Sequence, residues 1–133
     1  MEKMFRAKPE LFEMIDGWTS HSYPNPDFSS APNRSGKNSL KGFEVEQVKL
    51  KTMTGKDFPI YITETGWRQS RAINRNLMSY YRYAAQNIWN SPQVKAVTVF
   101  VLRGFNGPYE EFSLLDGDQQ PTMQMKALES VMN

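Results

Sequence analysis

The residues best able to do chemistry lie at the end of the run Pro59-Ile60-Tyr61-Ile62-Thr63-Glu64-Thr65-Gly66-Trp67. A short β-branched stretch stops there at a carboxylate, a glycine and a tryptophan. Side chains alternate along a strand, so the spacing puts Ile60, Ile62 and Glu64 on one face and Tyr61, Thr63 and Thr65 on the other. Glu64 then leaves the carboxyl end of a buried strand in line with two core isoleucines. A carboxylate in that position is costly unless partnered, and strand ends of this kind are where α/β barrels hold their chemistry. The plain alternative is a glutamate hydrogen-bonded at a strand exit for structural reasons alone.

Three rounds of helix and strand must position it. Pro9 to Met14 reads as a short helix with proline in its first turn. Asp16 to Tyr23 reads as a strand closed by Pro24, and Pro24 to Asn38 as a loop of Pro, Asn, Ser and Gly. A helix is expected over Ser39–Met53, with Leu40, Phe43, Gln47 and Leu50 along one side, before the turn Gly55-Lys56-Asp57. The strongest helical stripe is Leu77, Tyr80, Tyr81, Ala84 and Ile88 within Asn74–Asn90. Val94–Leu102 is almost continuously apolar, as in a strand covered on both faces. A last helix over Thr122–Met132 would bury Met123, Ala127, Leu128 and Val131.

This order implies parallel strands joined by right-handed helical crossovers. Loops entering the strands are minimal, whereas those leaving them (24–38, 65–73 and 103–120) are long. Long loops carry function, so the working face belongs at the strands' carboxyl ends. Tyr23, Phe28, Trp67, Phe105, Tyr109 and Phe112 fall at that end and offer flat apolar surfaces suited to sugar rings or bases. Each one alone could equally be a packing anchor for its loop.

Composition narrows the function classes. The chain of 133 residues suits one modest domain, 13% of it aromatic. A net charge of +2 without long runs of either sign gives no nucleic-acid footprint. No apolar stretch approaches the roughly 20 residues that cross a bilayer. The amino terminus lacks a signal-peptide core, which leaves localisation open. Without cysteine, and with a single histidine, neither a thiolate nucleophile nor a histidine-rich metal site is expected, and no cofactor is implied.

Taken together, Asp16-Gly17-Trp18-Thr19-Ser20-His21-Ser22-Tyr23-Pro24, its Asn25-Pro26-Asp27-Phe28 continuation and Ile62-Thr63-Glu64-Thr65-Gly66-Trp67 resemble the carboxyl-terminal part of a clan-A retaining glycoside hydrolase. That family folds as a (β/α)8 barrel. Its sixth strand often ends in a His-x-Tyr-like pattern, and its seventh ends in the nucleophilic glutamate within Thr-Glu-x-Gly-Trp. The resemblance covers nearly the whole chain, through strands six to eight. It implies a fold of three parallel strands with intervening helices, a single partial domain over residues 1–133, a carbohydrate substrate and Glu64 as nucleophile. It also implies substrate-side roles for His21, Tyr23 and Trp67. Tyr23 shares a strand face with His21 and would donate a hydrogen bond that keeps Glu64 ionised. His21 would bond a sugar hydroxyl or orient a carboxylate, unless backbone simply satisfies it. Trp67 would be a sugar platform or pack beneath its loop.

Two departures from the family pattern stand out. The acid/base glutamate, found in an Asn-Glu pair at the fourth strand, has no counterpart here. The tryptophan usual on the eighth strand is missing from Val99-Phe100-Val101-Leu102-Arg103, so Phe100 or Phe105 would have to form that floor. Three strands cannot close a barrel. The chain is therefore expected to be part of a glycosidase, inactive by itself, that needs the amino-terminal barrel half or associates with itself. A non-catalytic carbohydrate-binding or self-associating half-barrel is the rival reading, and an unrelated α/β protein with a structural Glu64 is a third.

Overall fold

The computed structural model describes residues 1–132. The chain is a mixed α/β structure with three parallel strands in one sheet and helices between them. Strand β1 spans Trp18–His21, β2 Ile60–Thr65 and β3 Val94–Val99, in the order β1-β2-β3. Helices α1 (Glu2–Ala7) and α2 (Leu11–Met14) precede β1, and α3 (Gly42–Thr54) links β1 to β2. Between β2 and β3 lie α4 (Arg71–Asn74) and α5 (Leu77–Asn87), and α6 (Met123–Glu129) follows a 3-10 turn at Glu110–Phe112.

Strands β1 and β3 are shorter than the segments expected over 16–23 and 94–102, and β2 runs one residue past Glu64, to Thr65. The expected 74–90 helix is two pieces that begin earlier, because the Ser70 hydroxyl accepts the Ile73 N–H at 3.2 Å and caps a separate first turn. Helix α3 stops where Gly55 takes φ 72° and its N–H closes on the Lys51 carbonyl at 2.8 Å. Loop lengths follow the expected asymmetry at β1 and β3, whose exits are long, but not at β2, whose exit over 66–70 is as short as its entry because α4 begins at Arg71.

The helices cover one face of the sheet. Ile60 and Ile62 of β2 pack with Leu40 and Phe43, with Leu77, Tyr81, Ala84 and Ile88, and with Ala127 of α6. Phe12, Leu50 and Phe58 form a smaller cluster against Phe5, Ile15 and Trp18. The other face is open: Thr19, His21, Tyr61, Thr63, Ala96 and Thr98 are all exposed. This corrects the expectation that β3 is covered on both sides. Only Val94, Val97 and Val99 reach the core, and the register slips between Ile60 and Tyr61 so that Val94 and Val97 both do.

Helix α6 also differs from its apolar pattern. Met123 is exposed, and Gln124 is the fully buried residue of that turn. Its Oε1 accepts the Trp67 N–H at 3.1 Å and its Nε2 donates to the Phe112 carbonyl at 2.7 Å. One amide thus ties the chain after β2 to the loop after β3. Gln124→Leu leaves the buried Trp67 N–H unpaired and the Phe112 carbonyl with the Val101 N–H alone, and is expected to cost about 1–3 kcal/mol, read as a lower denaturant midpoint at unchanged slope.

Strands β1 and β3 each pair on one side only, although Val101 and Leu102 beyond β3 bond the 112–115 segment. Unpaired parallel edges beside an uncovered face favour association. The chain is expected to sediment as dimers or larger species at micromolar concentration. A sharp monomer with cooperative thermal unfolding would show that this sheet is self-sufficient.

Candidate active site

The exits of β1 and β2 are locked together on the helix side. Ser22 Oγ accepts the Phe43 N–H of α3 at 2.9 Å and meets Ser20 Oγ at 2.9 Å, while Thr65 Oγ1 donates to the Ser22 carbonyl at 2.7 Å. All three side chains are buried. With Ser20 and Ser22 turned toward the helices, alternation sends His21 and Tyr23 to the open face.

Glu64 joins them there, and not by simple alternation. Ser20 pairs with Ile62 but His21 with Glu64, and against β3 Ile62 pairs with Val97 but Thr65 with Val99. Both neighbours see one extra residue in β2. Such a bulge re-aims side chains: Ile62 faces the core, Glu64 faces away from it, and Thr65 returns to burial. Glu64 is thus not aligned with Ile60 and Ile62 as strict alternation predicts.

The carboxylate has two partners, both on one oxygen. The Tyr23 hydroxyl donates to Glu64 Oε2 at 3.2 Å, and His21 Nδ1 lies 3.4 Å from the same atom. Oε1 carries neither contact. The side chains of His21 and Glu64 are 58% and 37% exposed, so both remain accessible from the open face. Burial, then the charge and hydrogen bond of Glu64, push the Tyr23 phenol well above the ordinary tyrosine range. Tyr23 therefore keeps its proton and is a hydrogen-bond donor to Glu64 throughout the neutral range.

An aromatic wall stands behind this pair. Tyr23 meets Phe28 edge-to-face at 5.0 Å, Phe28 meets Phe112 at 5.1 Å, and Phe100 meets Phe112 at 6.0 Å and Tyr109 at 5.4 Å. The Phe100 N–H bonds the Thr65 carbonyl at 2.8 Å, which ties Phe100 to the exit of β2. Phe105 is exposed beneath the Arg103 guanidinium, 5.1 Å from its ring centre. It borders a separate cavity of about 330 Å³ with Gln69, Glu110 and Asp116. A cleft of about 490 Å³ adjoins the wall, lined by Asp27, Phe28, Arg68, Pro108, Glu111 and Phe112. Arg68 and Glu111 form an ion pair across it.

Trp67 is the site expectation that the structure corrects. It is 0% exposed, packed on Tyr80, Tyr81 and Trp89 under the helices, and its Nε1 donates to the Ser30 carbonyl at 2.9 Å. It has no face for a ligand. Gly66 turns the chain inward at φ 141°, where a side chain would press on the Phe100 carbonyl. Sequence reasoning singled out His21, Tyr23 and Glu64 but missed Ser22, Thr65 and Gln124. A serine flanking each side of His21 was the one visible hint of the first of these. Among the described residues no cluster of three or more His, Cys, Asp or Glu could hold a metal ion. Nor is any helix among them long and apolar enough to cross a membrane.

Because the folded phenol ionises above the unfolded value of about 10, the Tyr23 contribution to stability is full below that pH and is lost as pH rises through the folded value. Glu64→Gln removes a negative neighbour and should lower the Tyr23 midpoint, leaving the part due to burial. Phenolate absorbance checks this, with Tyr23→Phe identifying the signal, since buried and unpartnered Tyr81 also ionises high.

Compared with protein-family models, curated proteins and solved structures, the chain matches none.

Proposed function

We propose that this chain is the carboxyl-terminal part of a (β/α)8-barrel glycoside hydrolase, with Glu64 as the nucleophile of a retaining double displacement. One observation carries the reading. Glu64 emerges at the carboxyl end of the middle strand of a parallel sheet, on the face away from the helices, and accepts the Tyr23 hydroxyl at 3.2 Å. Motif resemblance adds the family; the geometry supplies an accessible carboxylate with a built-in hydrogen-bond donor.

In this reading Glu64 Oε1 attacks the anomeric carbon as the bond to the leaving oxygen breaks. Tyr23 donates to Oε2 and His21 lies beside the same atom, which leaves Oε1 as the attacking oxygen. A second carboxyl, about 5–5.5 Å from the first, protonates the leaving oxygen and then activates the water that hydrolyses the glycosyl ester. That acid would come from outside these residues. The wall of Phe28, Phe112 and Phe100 and the adjoining cleft would receive the saccharide, the cleft being of ordinary ligand-pocket size.

A second reading keeps the sugar and drops the chemistry: a half-barrel that binds carbohydrate or a second copy. The open face, with Tyr61 40% exposed, and the unpaired edges favour it.

Activity separates the two. In a protein that also supplies the acid, Glu64→Ala should lower kcat by about 10⁴-fold or more, and azide should restore turnover with inverted stereochemistry. A wild-type rate in the alanine variant removes Glu64 from the mechanism. This chain alone, on aryl glycosides whose leaving groups need little protonation, is expected to show no turnover. Saccharide binding that survives Glu64→Ala, with no hydrolysis in any context, favours the binding module.

A further inference from the structure

We propose that the turn over residues 25–30 is a positioning device, in which Phe28 sets where the Tyr23 hydroxyl meets the Glu64 carboxylate. Asp27 and Phe28 both have φ 54°, the left-handed region that a bulky residue enters only under constraint. Such a conformation persists where the surroundings over-determine it, and it gathers at functional sites. The constraints here are specific. The Phe28 carbonyl accepts the Arg68 N–H at 3.0 Å, and the Ser30 carbonyl accepts Trp67 Nε1 at 2.9 Å. The Ser30 N–H donates to the Pro24 carbonyl at 2.9 Å and its hydroxyl to the Asn25 carbonyl at 2.6 Å. The turn is therefore tied twice to the segment that leaves β2 just after Glu64.

The ring that this backbone projects is aimed at Tyr23. Phe28 stands at 85° to Tyr23, centroids 5.0 Å apart, and at 87° to Phe112, centroids 5.1 Å apart. It belongs to neither apolar core cluster. Tyr23 is also edge-on to Phe112 at 6.4 Å, so its ring is bracketed and its hydroxyl is left toward Glu64. The charged or titratable groups facing that phenol are Glu64 from β2, His21 beside the same oxygen from β1, and Tyr109 from the loop after β3. Phe28 touches none of the reacting atoms and acts through Tyr23. Its consequence for turnover rests on the glycosidase reading, whereas the contact itself does not.

A double-mutant cycle on this chain tests it, without any saccharide. Tyr23 ionisation is followed by NMR of carbon-13-labelled tyrosine in the wild type, Phe28→Ala, Glu64→Gln and the double variant, with Tyr23→Phe assigning the resonance. Phe28→Ala is expected to lower the Tyr23 midpoint by about one pH unit or more when Glu64 is present. The drop should be less than about half as large in the Glu64→Gln background, because the effect passes through the Tyr23–Glu64 contact. Equal drops in both backgrounds would mean that Phe28 merely shields the ring from water, and would overturn the proposal, as would no drop at all. Phe28→Leu keeps the apolar cover without the ring and is read the same way if the alanine chain does not fold. A chain that never hydrolyses a glycoside can still pass, and a working glycosidase can fail, so the two readings stand or fall separately.

Discussion

The site depends on one extra residue at the end of β2. Without it, strict alternation would carry Glu64 to the helix side with Ile60 and Ile62, where an unpaired carboxylate is costly. With it, Thr65 takes the buried place and donates to the Ser22 carbonyl, while Glu64 reaches the open face beside His21 and Tyr23. A shift of one residue reverses every side chain beyond it, so a bulge is an economical way to place one polar group at the edge of an apolar strand.

The buried and open faces are coupled through that bulge. On the helix side Ser22, Phe43 and Thr65 fix how the exits of β1 and β2 lie against each other. Gln124 does the same for the exits of β2 and β3 by bonding Trp67 and Phe112. These are fully satisfied polar contacts inside an apolar layer, the kind that specify one arrangement. Across the sheet, the strand exits they tie together are the ones that carry Tyr23 and Glu64.

The two faces of the sheet differ in character. The helix side is filled by aliphatic residues and stacked aromatics around Trp67. The other presents threonines, an alanine, a tyrosine and the His21–Glu64 pair. Parallel sheets are ordinarily covered on both faces. A small, polar, exposed face beside two half-paired edge strands is consistent with a surface that further structure would complete, which fits both readings of the function.

Local pattern was enough to read the three strands, the helices that join them and the end of the sheet that carries long loops. It was also enough to pair His21 with Tyr23, since both lie on one face of a period-2 segment, and to single out Glu64 as a carboxylate ending an apolar run. It was not enough for the bulge, which is invisible to an alternation rule because it exists only in the register against β1 and β3. It misread Trp67, whose indole is captured by the Ser30 carbonyl and by the aromatics of α5, neither of them adjacent in sequence. It missed Gln124, a polar residue on an apolar helix whose partners lie 57 and 12 residues away. Periodicity is written residue by residue along the chain. Which buried hydrogen bonds are satisfied is decided only when distant segments meet, and here those bonds choose the direction in which Glu64 points.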